Sequence, residues 1–122
     1  MKIHWVNPYN KEHVIGNHAG YVLANKRLMD AVGEVVELDD KAEVALHFYH
    51  PLWFKAIEGK VNVLYTMCES EDEEYFFPDL AGKCDLILTP SEFCRDILSR
   101  ATSIPIRVVP LGVDKRVFKY KK

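Results

Sequence analysis

The chain alternates between two hydrophobic rhythms, and this alternation limits its possible folds more than any other feature. Short apolar runs over 3–6, 35–38, 44–48, 61–66, 86–88 and 106–109 have the length and composition of strands. Between the first two, Tyr21, Ala24, Leu28 and Ala31 or Val32 recur at three- and four-residue steps, the spacing of one helix face. Gly33 follows where a helix C-cap belongs. Phe93, Ile97, Leu98 and Ala101 repeat the helical step between the last two runs. Weaker helices are expected over 51–57 and 75–81, the second interrupted by Pro78. Strands alternating with helices build βαβ units, so the expected fold class is α/β with a parallel, doubly wound sheet of six strands. The run over 61–66 is nearly continuous in apolar character, as in a strand covered on both faces. In Thr89-Pro90-Ser91-Glu92, Thr89 is the expected N-cap, Pro90 the first helical residue and Glu92 the capping-box partner.

The whole chain, 1–122, is the length of one domain, with a basic C-terminal tail over 115–122. Hydrophobic residues at 48% and charged ones at 28% exclude a disordered or collagen-like chain. Sixteen Lys and Arg against eighteen Asp and Glu lack the basic excess of a phosphate-neutralising protein, so no nucleic-acid partner is expected. The acidic run over 69–74 reads as a solvated face. No stretch approaches the roughly 20 apolar residues of a membrane span. The first eight residues turn polar too soon for a signal peptide. Cys68, Cys84 and Cys94 form an odd set without a C-x-x-C pair, which fits a reducing compartment. A cytoplasmic location is therefore expected.

In open α/β sheets, ligands bind beyond the carboxyl ends of the strands. Gly16-Asn17-His18-Ala19-Gly20 opens the first long helix, where glycines admit a ligand close to the backbone and free amides favour an anion. Its spacing is not G-x-G-x-x-G, and an ordinary strand-to-helix turn accounts for it equally well. The segment over 47–53 gathers His47, His50 and three aromatic residues, suited to a sugar or a flat ring. Plain aromatic packing is the competing account, and no third metal ligand stands at useful spacing. After the fourth run come Thr66, Met67, Cys68, Glu69 and Ser70, where a carboxylate can bond to an acceptor hydroxyl. Cys68 has no activating partner for a nucleophilic role.

Three segments in order, Thr66-Met67-Cys68-Glu69-Ser70, then Asp85-Leu86-Ile87-Leu88-Thr89-Pro90-Ser91-Glu92-Phe93, then Val108-Val109-Pro110-Leu111-Gly112-Val113-Asp114 with Phe118, are similar to a known pattern. They resemble the N-terminal half of retaining glycosyltransferases with two Rossmann domains, the GT-B, family 4, glycogen-synthase-like group. The segment over 42–47 falls where that family has its third strand end, and the likeness runs over nearly the whole chain. It implies a single Rossmann-like, three-layer domain with strand order 3-2-1-4-5-6.

It further implies metal-independent sugar transfer from a nucleotide sugar, which acts as co-substrate, to a sugar or other hydroxyl acceptor, with no other cofactor. Glu69 would be the catalytic residue, with His47 or His50 helping to place sugar and acceptor hydroxyls. Gly16, Asn17, His18 and Gly20 would offer backbone donors to the nucleotide sugar, and Thr66, Ser91 and Glu92 would line the same cleft. Where family members often carry a histidine near Glu69, this chain has Cys68-Glu69. The family's donor-binding domain has no counterpart after Asp114. This chain is thus expected to be an acceptor-side half, not expected to act by itself, that either pairs with a separate donor-domain protein or a second copy or is a fragment of a longer enzyme. A non-catalytic sugar- or partner-binding module on the same fold, able to homodimerise, is the alternative. A flavodoxin- or receiver-like domain shares the architecture but would need clustered acids where Asn7-Pro8 stands.

Overall fold

The inner strands form where branched and aromatic side chains suit a pleated, covered surface. The computed structural model describes residues 1–6, 19–48, 54–67 and 83–110, with backbone alone over 19–23. The elements are β1 (Lys2–Val6), α1 (Ala19–Gly33), β2 (Glu37–Leu38), β3 (Val44–Phe48), β4 (Val61–Tyr65), β5 (Leu86–Thr89), α2 (Glu92–Ala101) and β6 (Ile106–Val108). The six strands form one sheet in the order β2-β1-β3-β4-β5-β6, and every pairing is parallel. The α/β Rossmann-like class is as expected.

The order departs from 3-2-1-4-5-6 in one respect. Both orders turn back at the first strand, but β3 lies inside, between β1 and β4, and β2 is the outer edge. Burial decides this. Ala45, His47 and Phe48 of β3 are fully buried, whereas both residues of β2 are exposed. A strand that apolar can only sit between neighbours, and a two-residue strand can only serve as an edge. The expected strand over 35–38 shrinks accordingly, with Val35 left 81% exposed.

The two helices cover opposite faces. Strand alternation puts Trp5, Leu46, Phe48, Tyr65 and Leu88 on one face, packed with Ala24, Leu28, Met29 and Val32 of α1. Asn25 is buried in that contact and ties three elements together. Its Oδ1 accepts from Trp5 Nε1 at 3.2 Å, and its Nδ2 donates to the Phe48 carbonyl at 3.2 Å. On the other face Leu64, Ile87, Cys84 and Ile104 pack with Leu98 of α2, and Phe54 and Ile106 border them. Burying Leu98 and Ile97 contributes about 2 kcal/mol each. Cys94, not Phe93, takes the inward position at the start of α2; Phe93 is 49% exposed.

Helix starts and stops follow the backbone accounting. Ser91, not Thr89, caps α2: its Oγ accepts from the Cys94 amide at 3.2 Å. Thr89 is still strand, paired with Val108, so its backbone is committed to the sheet and Pro90 lies before the helix. Glu92 becomes the first helical residue rather than a capping-box partner. Gly33 ends α1 as expected, though without the left-handed conformation of a glycine cap. Residues 54–57 of the expected 51–57 helix are irregular, because the Ile57 amide and carbonyl bond the Asn62 side chain. The expected helix over 75–81 lies outside the described residues.

Candidate functional site

The face of the sheet toward α2 is built in three rungs of residues paired across the strands. The lowest holds His4, Ala45 and Asn62. The middle holds Val6, His47, Leu64, Ile87 and Ile106. The upper, at the carboxyl ends of β4 and β5, holds Thr66, Thr89 and Val108; the Thr66 amide donates to the Leu88 carbonyl at 2.9 Å.

The lowest rung is polar and fully engaged. Asn62 Oδ1 accepts from the Ile57 amide and from His47 Nε2, each at 2.9 Å. Its Nδ2 donates to the carbonyls of Ile57 at 3.1 Å and Lys60 at 3.0 Å, so all four side-chain bonds are made. The Asn62 amide donates to Asp85 Oδ2 at 2.8 Å. A turn closed by the Lys60 amide on the Ile57 carbonyl feeds this cluster, with Gly59 at φ 83°, a conformation that favours glycine. Lys60 Nζ donates to the Asp40 carbonyl and, at 3.0 Å, to His4 Nδ1. A shallow hollow of about 350 Å³ opens beside these residues, lined by Ile57, Glu58, Lys60, Asn62, Lys83 and Asp85. It lies at the amino ends of β4 and β5, the wrong end for a ligand of an open α/β sheet.

His47, expected to bind substrate, belongs to this structural network. It is fully buried, its Nε2 donates to Asn62, and its ring meets Phe54 edge-on at 4.8 Å. Burial pushes its pKa below the ordinary 6.5, opposed in part by the Asn62 bond, while nearby His4 lowers it further. His47 is therefore a neutral core residue at neutral pH. Sequence reasoning missed Asn62 and Asn25. The available signal was a lone polar residue inside an apolar strand or on an apolar helix face, which has to find partners when buried.

The upper rung differs in chemistry. Thr66 and Thr89 are fully buried, and neither Oγ1 has a hydrogen-bond partner among the described residues. Beside them α2 begins with the Ser91 cap, and the amides of Glu92 and Phe93 have no intrahelical acceptor. The Glu92 carboxylate is exposed and lies 3.5 Å from the Arg95 guanidinium, a solvent-screened pair. On the opposite face Tyr65 donates its hydroxyl to the Val109 carbonyl, and burial pushes its pKa up. The upper rung thus holds two buried hydroxyls, each able to donate and to accept, beside helix-start amides without an intrahelical acceptor.

Of the residues expected at the site, the structure brings Thr66, Ser91 and Glu92 together at the carboxyl rim of β4 and β5. Gly20 lies in the first turn of α1, on the other face of the sheet. Gly16, Asn17, His18, His50 and Glu69 lie outside the described residues. The sheet reverses direction between β1 and β3, and the segments leaving those strands, 7–18 and 49–53, also lie outside them. Burial raises the pKa of Cys84, whose thiol bonds the Leu86 carbonyl, so it is a protonated core residue. Among the described residues, no three His, Cys, Asp or Glu side chains stand close enough to hold a metal ion. No helix among them is long and apolar enough to cross a membrane.

Comparison with protein-family models, with curated proteins and with solved structures found no match. The first five strands follow an order also used by flavodoxin-like sheets, so topology alone does not choose the chemistry.

Proposed function

We propose that this chain is the acceptor-side half of a retaining, metal-independent glycosyltransferase. It would work on a nucleotide sugar and a hydroxyl acceptor together with a donor-binding partner. The observation that supports this reading is the meeting of two separate sequence segments at one rim. Thr66, which opens the Thr-Met-Cys-Glu-Ser segment, stands one strand from the Thr89-Pro90-Ser91-Glu92 segment at the carboxyl ends of β4 and β5. That end is where an open α/β sheet presents ligands. Glu69 follows Thr66 by three residues and is the carboxylate this reading assigns to the sugar and acceptor hydroxyls. A second domain would close the cleft, exclude water and fix both reactants, which one half of a cleft does not do.

Calorimetric titration of the chain with nucleoside diphosphates and their sugars tests the reading. Micromolar binding that weakens in Gly16→Trp is the expected result. In an assembled enzyme, Glu69→Gln should lose transfer while the chain stays folded. Silence across the panel from a chain that melts cooperatively overturns the reading. It would favour the non-catalytic binding module, whose self-association light scattering would reveal.

A further inference from the structure

Two buried hydroxyls without partners, side by side, are an anomaly that a folded core does not ordinarily leave. Each costs about 1–3 kcal/mol when desolvated and unbonded. Thr66 and Thr89 occupy neighbouring strands, about 5 Å apart at normal sheet spacing. Both side chains stand on the face that Leu64 and Ile87 share with Leu98 of α2, and Thr89 precedes the Ser91 cap by two residues. Above them, the two free amides and the partial positive charge of the helix start point the same way in chemical terms. The amides only donate, and each threonine hydroxyl can donate as well as accept. A neutral sugar hydroxyl brings a proton that the amides do not use and no charge for the helix start to favour, whereas an oxyanion can accept from the whole set.

We propose that Thr66 and Thr89, with the amides of Glu92 and Phe93, form a subsite for a phosphate monoester. One phosphate oxygen is received between the two hydroxyls and the others face the first turn of α2. Because both threonines are fully buried, only a single oxygen enters between their hydroxyls, which excludes a whole sugar ring from that point. The phosphate belongs to the acceptor, making it a phosphorylated sugar or polyol. That last assignment rests on the glycosyl-transfer reading of the same rim, whereas the anion site does not.

The test uses the whole chain, inorganic phosphate and glucose 6-phosphate at constant ionic strength, and two double variants. Wild type should bind both probes and melt higher with them. Thr66→Val/Thr89→Val should melt no lower than wild type without ligand and bind at least about tenfold more weakly, the loss of one charge-assisted bond or more. Thr66→Ser/Thr89→Ser, which keeps the hydroxyls, should retain binding. Equal binding by the valine and wild-type chains overturns the proposal, as does a wild type that ignores both probes. A valine variant that melts lower yet binds equally means the hydroxyls hold structural water only, and overturns it too. If the valine variant does not fold, loss of binding in a folded serine variant has the same force against it. Nucleotide-sugar binding without phosphate binding removes this inference and leaves the glycosyl-transfer reading. Threonine-dependent phosphate binding without any nucleotide-sugar response keeps the anion site and removes its acceptor role.

Discussion

The two ends of the α2-facing sheet surface use buried polar groups in opposite ways. At the amino ends of the strands, Asn62 spends every side-chain donor and acceptor it has on His47, Ile57 and Lys60. At the carboxyl ends, beyond one intervening rung, Thr66 and Thr89 make no side-chain hydrogen bond among the described residues. A satisfied network fixes a unique structure; an unsatisfied pair costs stability and retains capacity for something else. The two ends therefore differ in whether their buried polar groups are spent on the fold, and each end can be perturbed without the other.

The largest effect should come from the satisfied end. Asn62→Ala takes the acceptor from the Ile57 amide and one partner from His47, and frees the 57–60 turn, costing about 3 kcal/mol on the scale of buried unpaired groups. Urea denaturation measures it, and a loss below about 1 kcal/mol would show that the network is not what holds this end. Next, Ser91→Ala removes the α2 cap and should cost about 1 kcal/mol by the same assay. Thr89→Ala should show no capping loss, since its hydroxyl makes no bond to the helix.

A third effect follows from His47. Its pKa in the fold lies below the ordinary 6.5 because it is buried, so the unfolded chain takes up that proton first as pH falls. The His47 contribution is complete above 6.5 and declines as pH drops from there through the lower folded value. Thermal melts across that window should show the decline, and His47→Gln should flatten it. Gly59→Ala should cost about 1 kcal/mol, as much as the lost cap: open space surrounds the position, and the cost is its positive φ alone.

Much of this was legible in the residues. The strands around 3–6, 44–48, 61–65 and 86–88 showed in their apolar runs, and the helix after Gly20 showed in its spacing. Neighbour relations were less legible, because an apolar run states that a strand is covered without stating by which strand; β3 settled between β1 and β4 through its depth of burial. The cap was misplaced because Thr89 and Ser91 are both good caps, and only the pairing of Thr89 with Val108 separates them. His47 looked like a ligand because it ends a strand amid aromatics. Its real partner, Asn62, lies fifteen residues away in the chain.

The most direct measurement is a backbone amide NMR titration of the whole chain with glucose 6-phosphate. The account predicts shifts at Thr66, Thr89, Glu92 and Phe93, with Ile57, Lys60 and Asn62 unmoved. Shifts centred on Ile57, Lys60, Asn62 and Asp85 instead would place the ligand in the lower hollow and contradict it.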